Sequence, residues 1–166
     1  MNENLWPFLL PDLILQTARR FPERVAVVDG ESEFTYRDLA MQIKAFADGL
    51  LRQGLRRGDR VGIFLNKRIE FVIASFGTAL AGGVFVPINP GLRSAQVFHI
   101  LSDCSVSFLV TTPERLGLLK DFESSCSSVR AVILTDIEGE LPVLKTDVLP
   151  WAEFSSQGGS SWGTSG

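Results

Sequence analysis

Two glycine-containing segments are the first candidates for phosphate binding: Gly82-Gly83 and Thr164-Ser165-Gly166. A phosphate loop runs from a strand into a helix, which fixes its backbone N–H groups, and a lysine commonly follows it. Gly82-Gly83 instead follows a helical pattern and precedes an apolar run, which predicts a helix C-terminus. The residues before Thr164 are glycine- and serine-rich and cannot form the required strand. Neither segment predicts a nucleotide site, and no Gly-x-Gly-x-x-Gly follows the apolar run at 61–65.

The side chains that could act as nucleophiles, acids or bases are dispersed. His99 is the only histidine, and no serine, cysteine or metal-ligand partner stands at helical or hairpin spacing from it. Cys104 and Cys126 match no metal-ligand spacing and are too few for a disulfide scaffold, so buried free thiols are expected. The acidic residues suggest other roles: a helix cap at Asp38, a turn at Asp59 and helix-surface charges at Glu70 and Asp103. We therefore predict no catalytic, cofactor-binding or metal-binding residue in this chain.

Composition excludes several classes of protein. The 166 residues suffice for one domain with a core, and 45% hydrophobic content with 21% charged residues argues against disorder. The formal net charge is −3 and the basic residues are scattered in pairs, so no nucleic-acid partner is expected. The uncharged run 71–92 is long enough to span a bilayer, but Gly82-Gly83 and two prolines interrupt it, so no membrane span is predicted. Two free cysteines suit a cytoplasmic location.

The hydrophobic pattern defines the elements that would position these residues. Helices are predicted over Pro11–Phe21, from the cap Thr35 to Gly54, over Ile69–Ala81 and Ser94–Cys104, and, after the cap Thr112, over Glu114–Phe122. One face of the first helix carries the positions Leu13, Ile14, Thr17, Ala18 and Phe21. Short strands are predicted at Val25–Val28, Glu33–Thr35, Val61–Leu65, Val84–Val86, Phe108–Val110 and Ala131–Leu134. Apolar strands separated by amphipathic helices indicate an α/β fold with a mainly parallel sheet and helices on both faces. After Asp136 the regular pattern fades, although residues 151–154 could pack locally.

Three linked segments carry a family resemblance. They are Phe34-Thr-Tyr-Arg-Asp-Leu39, Arg57-Gly-Asp-Arg-Val-Gly-Ile-Phe-Leu65 and Leu80-Ala-Gly-Gly-Val-Phe-Val-Pro-Ile-Asn-Pro90. In this order and spacing they resemble the opening of an AMP-forming ligase of the acyl-CoA synthetase and adenylation-domain superfamily. Gln96–Cys104 is similar to the helix that follows in acyl-CoA ligases. The resemblance covers about residues 11–154, and it implies the first portion of the large N-terminal domain of such a ligase.

The resemblance also implies a reaction and its cofactors. The family uses Mg-ATP to convert a carboxylic acid into an acyl-adenylate, and commonly transfers the acyl group to coenzyme A. Its phosphate loop, acyl pocket, ribose-binding aspartate, hinge and catalytic lysine lie downstream of these three segments. No position of this chain matches them, so we expect scaffold residues and no bound cofactor. Thr164-Ser165-Gly166 has the first letters of the family's phosphate loop, through coincidence or through truncation inside that loop.

Two functional interpretations remain open. The chain could be the N-terminal part of an acyl-CoA ligase involved in fatty acid metabolism, inactive alone, whose partner is the missing remainder or another copy of itself. Alternatively, it could be a non-enzymatic interaction module that docks on a full-length or split ligase. In either case we expect a partial AMP-binding domain over residues 1–154 and a disordered Gly/Ser-rich tail over 155–166.

Overall fold

The computed structural model describes residues 9–155. The helices are α1 (Leu10–Arg20), α2 (Tyr36–Arg52), α3 (Ile69–Leu80), α4 (Ser94–Asp103), α5 (Pro113–Leu118), α6 (Phe122–Ser125) and α7 (Ala152–Ser155). The strands are β1 (Val25–Asp29), β2 (Ser32–Thr35), β3 (Arg60–Ile63), β4 (Val84–Pro87), β5 (Val106–Thr111), β6 (Ala131–Leu134) and β7 (Asp147–Pro150). The tail from residue 156 onward lies outside the described residues, so the expectation that it is disordered stays a prediction.

The main sheet has five parallel strands in the order β4-β3-β5-β6-β7, and β1 and β2 form a separate antiparallel hairpin. The chain leaves β3 toward β4 and then crosses back to β5 on the other side of β3. Strand order therefore reverses at β3, and in open α/β sheets a crevice forms at such a point, beyond the carboxyl ends of the strands.

Side chains alternate between two hydrophobic clusters, one on each face of the sheet. Ala131 and Ile133 of β6 enter the first cluster with α2, α3 and α7, whereas Val132 and Leu134 enter the second with α4, α5 and α6. Every residue of β6 is buried as a result. The predicted α/β fold with helices on both faces of a parallel sheet is confirmed.

Local chemistry begins and ends several of the helices as predicted. The Thr35 hydroxyl accepts a hydrogen bond from the Asp38 N–H (3.1 Å), and the Asp38 carboxylate accepts one from the Thr35 N–H (3.1 Å), which forms a capping box. Thr112 caps α5 in the same way, by accepting from the Arg115 N–H at 3.2 Å. Gly54 ends α2 with φ of +77°, in the left-handed region that glycine adopts at low cost.

The structure corrects three of the sequence-based expectations. The predicted helix Glu114–Phe122 is two short helices, because Asp121 adopts a left-handed conformation between them while Leu119 and Phe122 turn into the second cluster. A regular strand, β7, follows Asp136, where the sequence shows no regular pattern. Leu13, expected on the buried face of α1, is 56% exposed.

Trp151 and Phe154 pack against the centre of the fold rather than only locally. The Phe154 side chain is 2% exposed, and its ring centroid lies 5.5 Å from that of Phe46 in α2. The Trp151 ring approaches the same phenylalanine at 4.9 Å. Helix α7 thus closes the first cluster, although it contains only four residues.

None of the helices within residues 9–155 is long and apolar enough to cross a bilayer. The uncharged run that begins at Phe71 is divided between the 12-residue helix α3 and the strand β4.

Candidate functional site

A polar crevice lies beyond the carboxyl ends of β3, β5 and β6, next to the reversal of strand order. It has a volume of about 430 Å³ and is lined by Asn66, Arg68, Thr112, Pro113, Glu114, Arg115, Asp136, Ile137, Glu138, Glu140 and Pro142. The residues that follow three different strands meet here because parallel strands place their carboxyl ends at one edge of the sheet. This position makes the crevice the main candidate functional site of the described chain.

Arg68 connects the beginning of α3 to the end of β6. Its Nε donates a hydrogen bond to Glu70 Oε2 (2.6 Å), and its Nη2 donates to Glu70 Oε1 and to Asp136 Oδ1 (both 2.9 Å). Its Nη1 donates to the other carboxylate oxygen of Asp136. Two carboxylates therefore bind one guanidinium, and Glu70 is part of this ion network rather than the free helix-surface charge expected from the sequence.

Hydrogen bonds within this network shift the pKa values of Asp136 and Arg68. The hydrogen bond from Arg68 lowers the pKa of Asp136 below its usual value, against a smaller opposing effect of burial. Hydrogen bonds to Asp136 and then Glu70 raise the pKa of Arg68 further above its usual range. Asp136 and Arg68 therefore remain charged throughout the physiological pH range, so neither is suited to exchange protons with a substrate near neutrality.

Arg115, in α5, is the second arginine that lines the crevice. Its Nη2 donates to Asn66 Oδ1 (2.8 Å), after β3, and its Nη1 donates to the Pro90 carbonyl (2.9 Å), after β4. Its Cζ lies 5.1 Å from the centroid of the Phe64 ring, within range of a cation–π contact. One guanidinium thus joins the ends of three neighbouring strands.

The charges of the crevice do not favour a polyphosphate. Both arginines already bind partners within the protein, and the lining contains four carboxylates: Glu114, Asp136, Glu138 and Glu140. The first N–H of α3, which a phosphate loop would present to its ligand, donates instead to the Asp29 carboxylate at 2.9 Å. The crevice therefore connects β3, β5 and β6 through internal ion pairs and hydrogen bonds.

The glycine pair singled out in the sequence forms a tight helix stop. Gly82 follows α3 with φ of +84°, and its carbonyl accepts a hydrogen bond from the Gly58 N–H at 2.9 Å. A Cβ on Gly83 would lie 3.0 Å from the Thr78 Cγ2 and 3.1 Å from the Asp59 carbonyl oxygen. The pair lets the chain leave α3 and enter β4 directly beside β3, which agrees with its interpretation as a helix terminator.

The other side chains with potential chemistry are not brought together. His99 and Asp103 are exposed on α4, and Asp59 accepts hydrogen bonds from the Arg56 N–H and from Arg130. Both cysteines are free; Cys126 is buried, with a pKa raised by burial, but Cys104 is only half-buried. Across residues 9–155, no three His, Cys, Asp or Glu side chains are grouped so that they could hold a metal ion.

Sequence reasoning missed the residues of the crevice. Arg68 and Asp136 are 68 positions apart, and no local pattern links them. The one available signal was topological, because Asn66 and Thr112 follow apolar strands and would be expected at the same edge of a parallel sheet.

Comparisons with known proteins agree with this architecture. The family model described as "AMP-binding enzyme" matches residues 14–158. N-(5-amino-5-carboxypentanoyl)-L-cysteinyl-D-valine synthase of Streptomyces clavuligerus is 34% identical over 84% of the chain and 18% of its own length. A 3-[(3aS,4S,7aS)-7a-methyl-1,5-dioxo-octahydro-1H-inden-4-yl]propanoyl:CoA ligase of Rhodococcus jostii is 31% identical over 82% of the chain and 28% of its own length.

A solved structure shows the same fold. Coronafacic acid ligase from Pectobacterium brasiliense superimposes with a TM-score of 0.82 at 20% identity, over 90% of this chain and 30% of the ligase chain. The fold and the family match define the class of adenylate-forming ligases. The chain belongs to the AMP-binding enzyme family, and it spans less than a third of the length of each of these three relatives.

Proposed function

We propose that this chain is a structural lobe of an adenylate-forming ligase, one that converts a carboxylic acid and Mg-ATP into an acyl-adenylate and then passes the acyl group to coenzyme A. In this proposal residues 9–155 supply scaffold. The groups that hold ATP, magnesium and coenzyme A belong to other parts of the ligase, and the chain alone has no ligase activity.

The observation that carries the proposal is the structural use of the three family-like segments. Phe34–Leu39 forms the capping box between β2 and α2. The other two segments contain β3 and β4, which pair in parallel from Arg60 opposite Val84 to Ile63 opposite Pro87. The backbone and polar groups of these segments thus begin a helix, end a helix and pair two strands.

The choice of coenzyme A as the acyl acceptor rests on narrower support. The Gln96–Cys104 segment, most of which lies in α4, is similar to the corresponding helix of acyl-CoA ligases. The Rhodococcus jostii relative is itself a CoA ligase. The Streptomyces clavuligerus relative is named a synthase and not a CoA ligase, so only one of the two relatives supports coenzyme A as the acceptor.

ATP–pyrophosphate exchange tests the proposal. The purified chain should exchange no labelled pyrophosphate into ATP above a heat-killed control, with fatty, aryl and amino acids supplied in turn. A complete acyl-CoA ligase assayed in parallel provides the positive control. Acid-dependent exchange by the chain, in material free of host ligases, would contradict the scaffold role.

A further inference from the structure

A second cavity, of about 360 Å³, lies between α1, α2 and the end of α3, away from the crevice. Its first wall is formed by Leu15, Ala18, Arg19 and Pro22, at and just beyond the C-terminal half of α1. These positions are spaced i, i+3, i+4, i+7; Leu15, Ala18 and Arg19 lie on one stripe of α1, and Pro22 extends this wall beyond the end of the helix. We refer to this cavity as the α1/α2 groove.

The second wall has the same spacing on α2. Arg37, Ala40, Met41 and Lys44 form this stripe, and Leu80 from the end of α3 closes the groove. The small side chains of Ala18 and Ala40 face the space between the helices, which leaves it open. A cavity of this size is at the lower end of the range for small-molecule sites.

Apolar side chains line the interior of the groove, and three cationic side chains line it as well: Arg19, Arg37 and Lys44. No carboxylate is among its lining residues, although the protein as a whole has a net charge of −3. Arg37 is paired with Glu23, whereas none of the ion pairs found within residues 9–155 involves Arg19 or Lys44. Met41 is 56% exposed at the rim, where a bound apolar group would cover it.

We propose that the α1/α2 groove binds an anionic amphiphile with a single short alkyl chain, such as a medium-chain carboxylate. The alkyl chain lies between Leu15, Ala18, Ala40 and Leu80, and the anionic head meets Arg19 and Lys44. A free amphiphile is favoured over a bilayer surface because the groove is a limited volume between two helices rather than a flat apolar face. This site is independent of the proposed ligase activity.

Calorimetric titration of the full 166-residue chain with decanoate tests the site. Decanoate should bind in a saturable manner, more weakly at high salt, since screening acts on partly exposed charges. Decanol should bind at least about fivefold more weakly, because it forms no ion pair, and decyltrimethylammonium should not bind. Equal affinities for decanoate and decanol would overturn the proposal, since they would indicate simple apolar partition.

Variants locate the binding in the groove. Lys44→Gln should weaken decanoate binding about fivefold, whereas Lys120→Gln, at an exposed lysine outside the groove, should leave it unchanged. Met41→Glu places a negative charge at the exposed rim and should also weaken binding. Unchanged affinity in both Lys44→Gln and Met41→Glu, with melting temperatures like that of the parent, would refute the site.

Two further experiments test whether a free amphiphile, a membrane surface or the chain's own first eight residues fill the groove. Vesicles containing phosphatidylglycerol, tested by co-sedimentation, should bind no more chain than vesicles of neutral phosphatidylcholine. Binding to these vesicles with no binding of free decanoate would overturn the proposal in favour of a membrane surface. Decanoate binding that appears only after residues 1–8 are removed would also overturn it, because the chain itself would then be the occupant.

Discussion

At the scale of single residues, the best-defined polar feature is the guanidinium of Arg68 between Glu70 and Asp136. The side chain of Arg68 is about one quarter exposed and that of Asp136 about one half. Solvent therefore screens the pair, and its contribution to stability is modest. Its main role is to fix the loop after β6 against the beginning of α3, across 68 positions of sequence.

Asp136→Asn should destabilise the protein in a pH-dependent way. Because the folded pKa of Asp136 is lowered, its ionised form stabilises the fold above the ordinary aspartate pKa of about 3.9, and this contribution is lost as pH falls through the folded pKa. At pH 7 the variant should melt about 1–3 °C below the parent. Asparagine tolerates the left-handed backbone at this position, so the substitution adds little strain.

Melting curves between about pH 3 and 7 measure this effect. The difference between the parent and Asp136→Asn should be constant above about pH 5 and shrink below about pH 4. Asp103→Asn, at an exposed aspartate of α4, controls for the loss of one surface carboxylate. A difference that grows toward low pH would show that the ion pair does not lower the pKa of Asp136.

At the scale of secondary-structure elements, the four-residue helix α7 closes the larger of the two hydrophobic clusters. A Cβ on Gly49 of α2 would lie 2.3 Å from Cδ1 of Phe154, so the absence of a side chain allows α7 to dock. The Phe154 ring is enclosed and cannot move away at low cost.

Gly49→Ala should destabilise the protein, although alanine is the better helix former. Overpacking of a core lowers the free energy of unfolding by about 1–3 kcal/mol. The higher helix propensity of alanine offsets at most about 1 kcal/mol of this loss. Gly117→Ala in α5 is the matched control, since a Cβ there meets nothing within 4 Å and should be neutral or stabilising. Urea unfolding of both variants measures the two effects. A Gly49→Ala protein as stable as the parent would mean that α7 does not pack here.

The sequence predicted those elements whose signals are local. Thr35, Thr112 and Gly54 each identify a helix end through chemistry within three or four residues of that end. Strand β7 was missed because only Val148 and Leu149 are apolar, between Asp147 and Pro150, and its pairing with β6 supplies the missing signal. The contact of Phe154 with Gly49, like the ion pair of Arg68 with Asp136, depends on tertiary structure and has no local signature.

At the scale of the whole molecule, the sheet ends in two strands that each pair on one side only within residues 9–155. One of them is β4, whose Val84 is 50% exposed. An unpaired, apolar edge strand can add a strand from another chain. The relatives extend well beyond the matched region, and we expect the β4 edge to contact further polypeptide in a complete ligase.

Val84→Lys should reduce self-association of the chain and its binding of a hydrophobic dye. Lysine on an edge strand opposes the addition of another strand, and Val84 is exposed enough for the charge to reach water. Val143→Lys is the control, because Val143 is 98% exposed in a loop and isolated apolar side chains rarely drive association. Sedimentation velocity and dye fluorescence measure the change. Equal effects of the two substitutions would show that the β4 edge has no special role.

The central claim is that residues 9–155 are the scaffold of an adenylate-forming ligase and do not hold its nucleotide. Its most direct test is a ¹H–¹⁵N NMR titration of the chain with Mg-ATP, since the same spectra show that the protein is folded. We predict dispersed amide signals and no saturable shift at Asn66, Arg68, Thr112, Arg115 or Asp136. Saturable shifts that converge on these crevice residues at millimolar Mg-ATP would contradict the claim and make the crevice a nucleotide site.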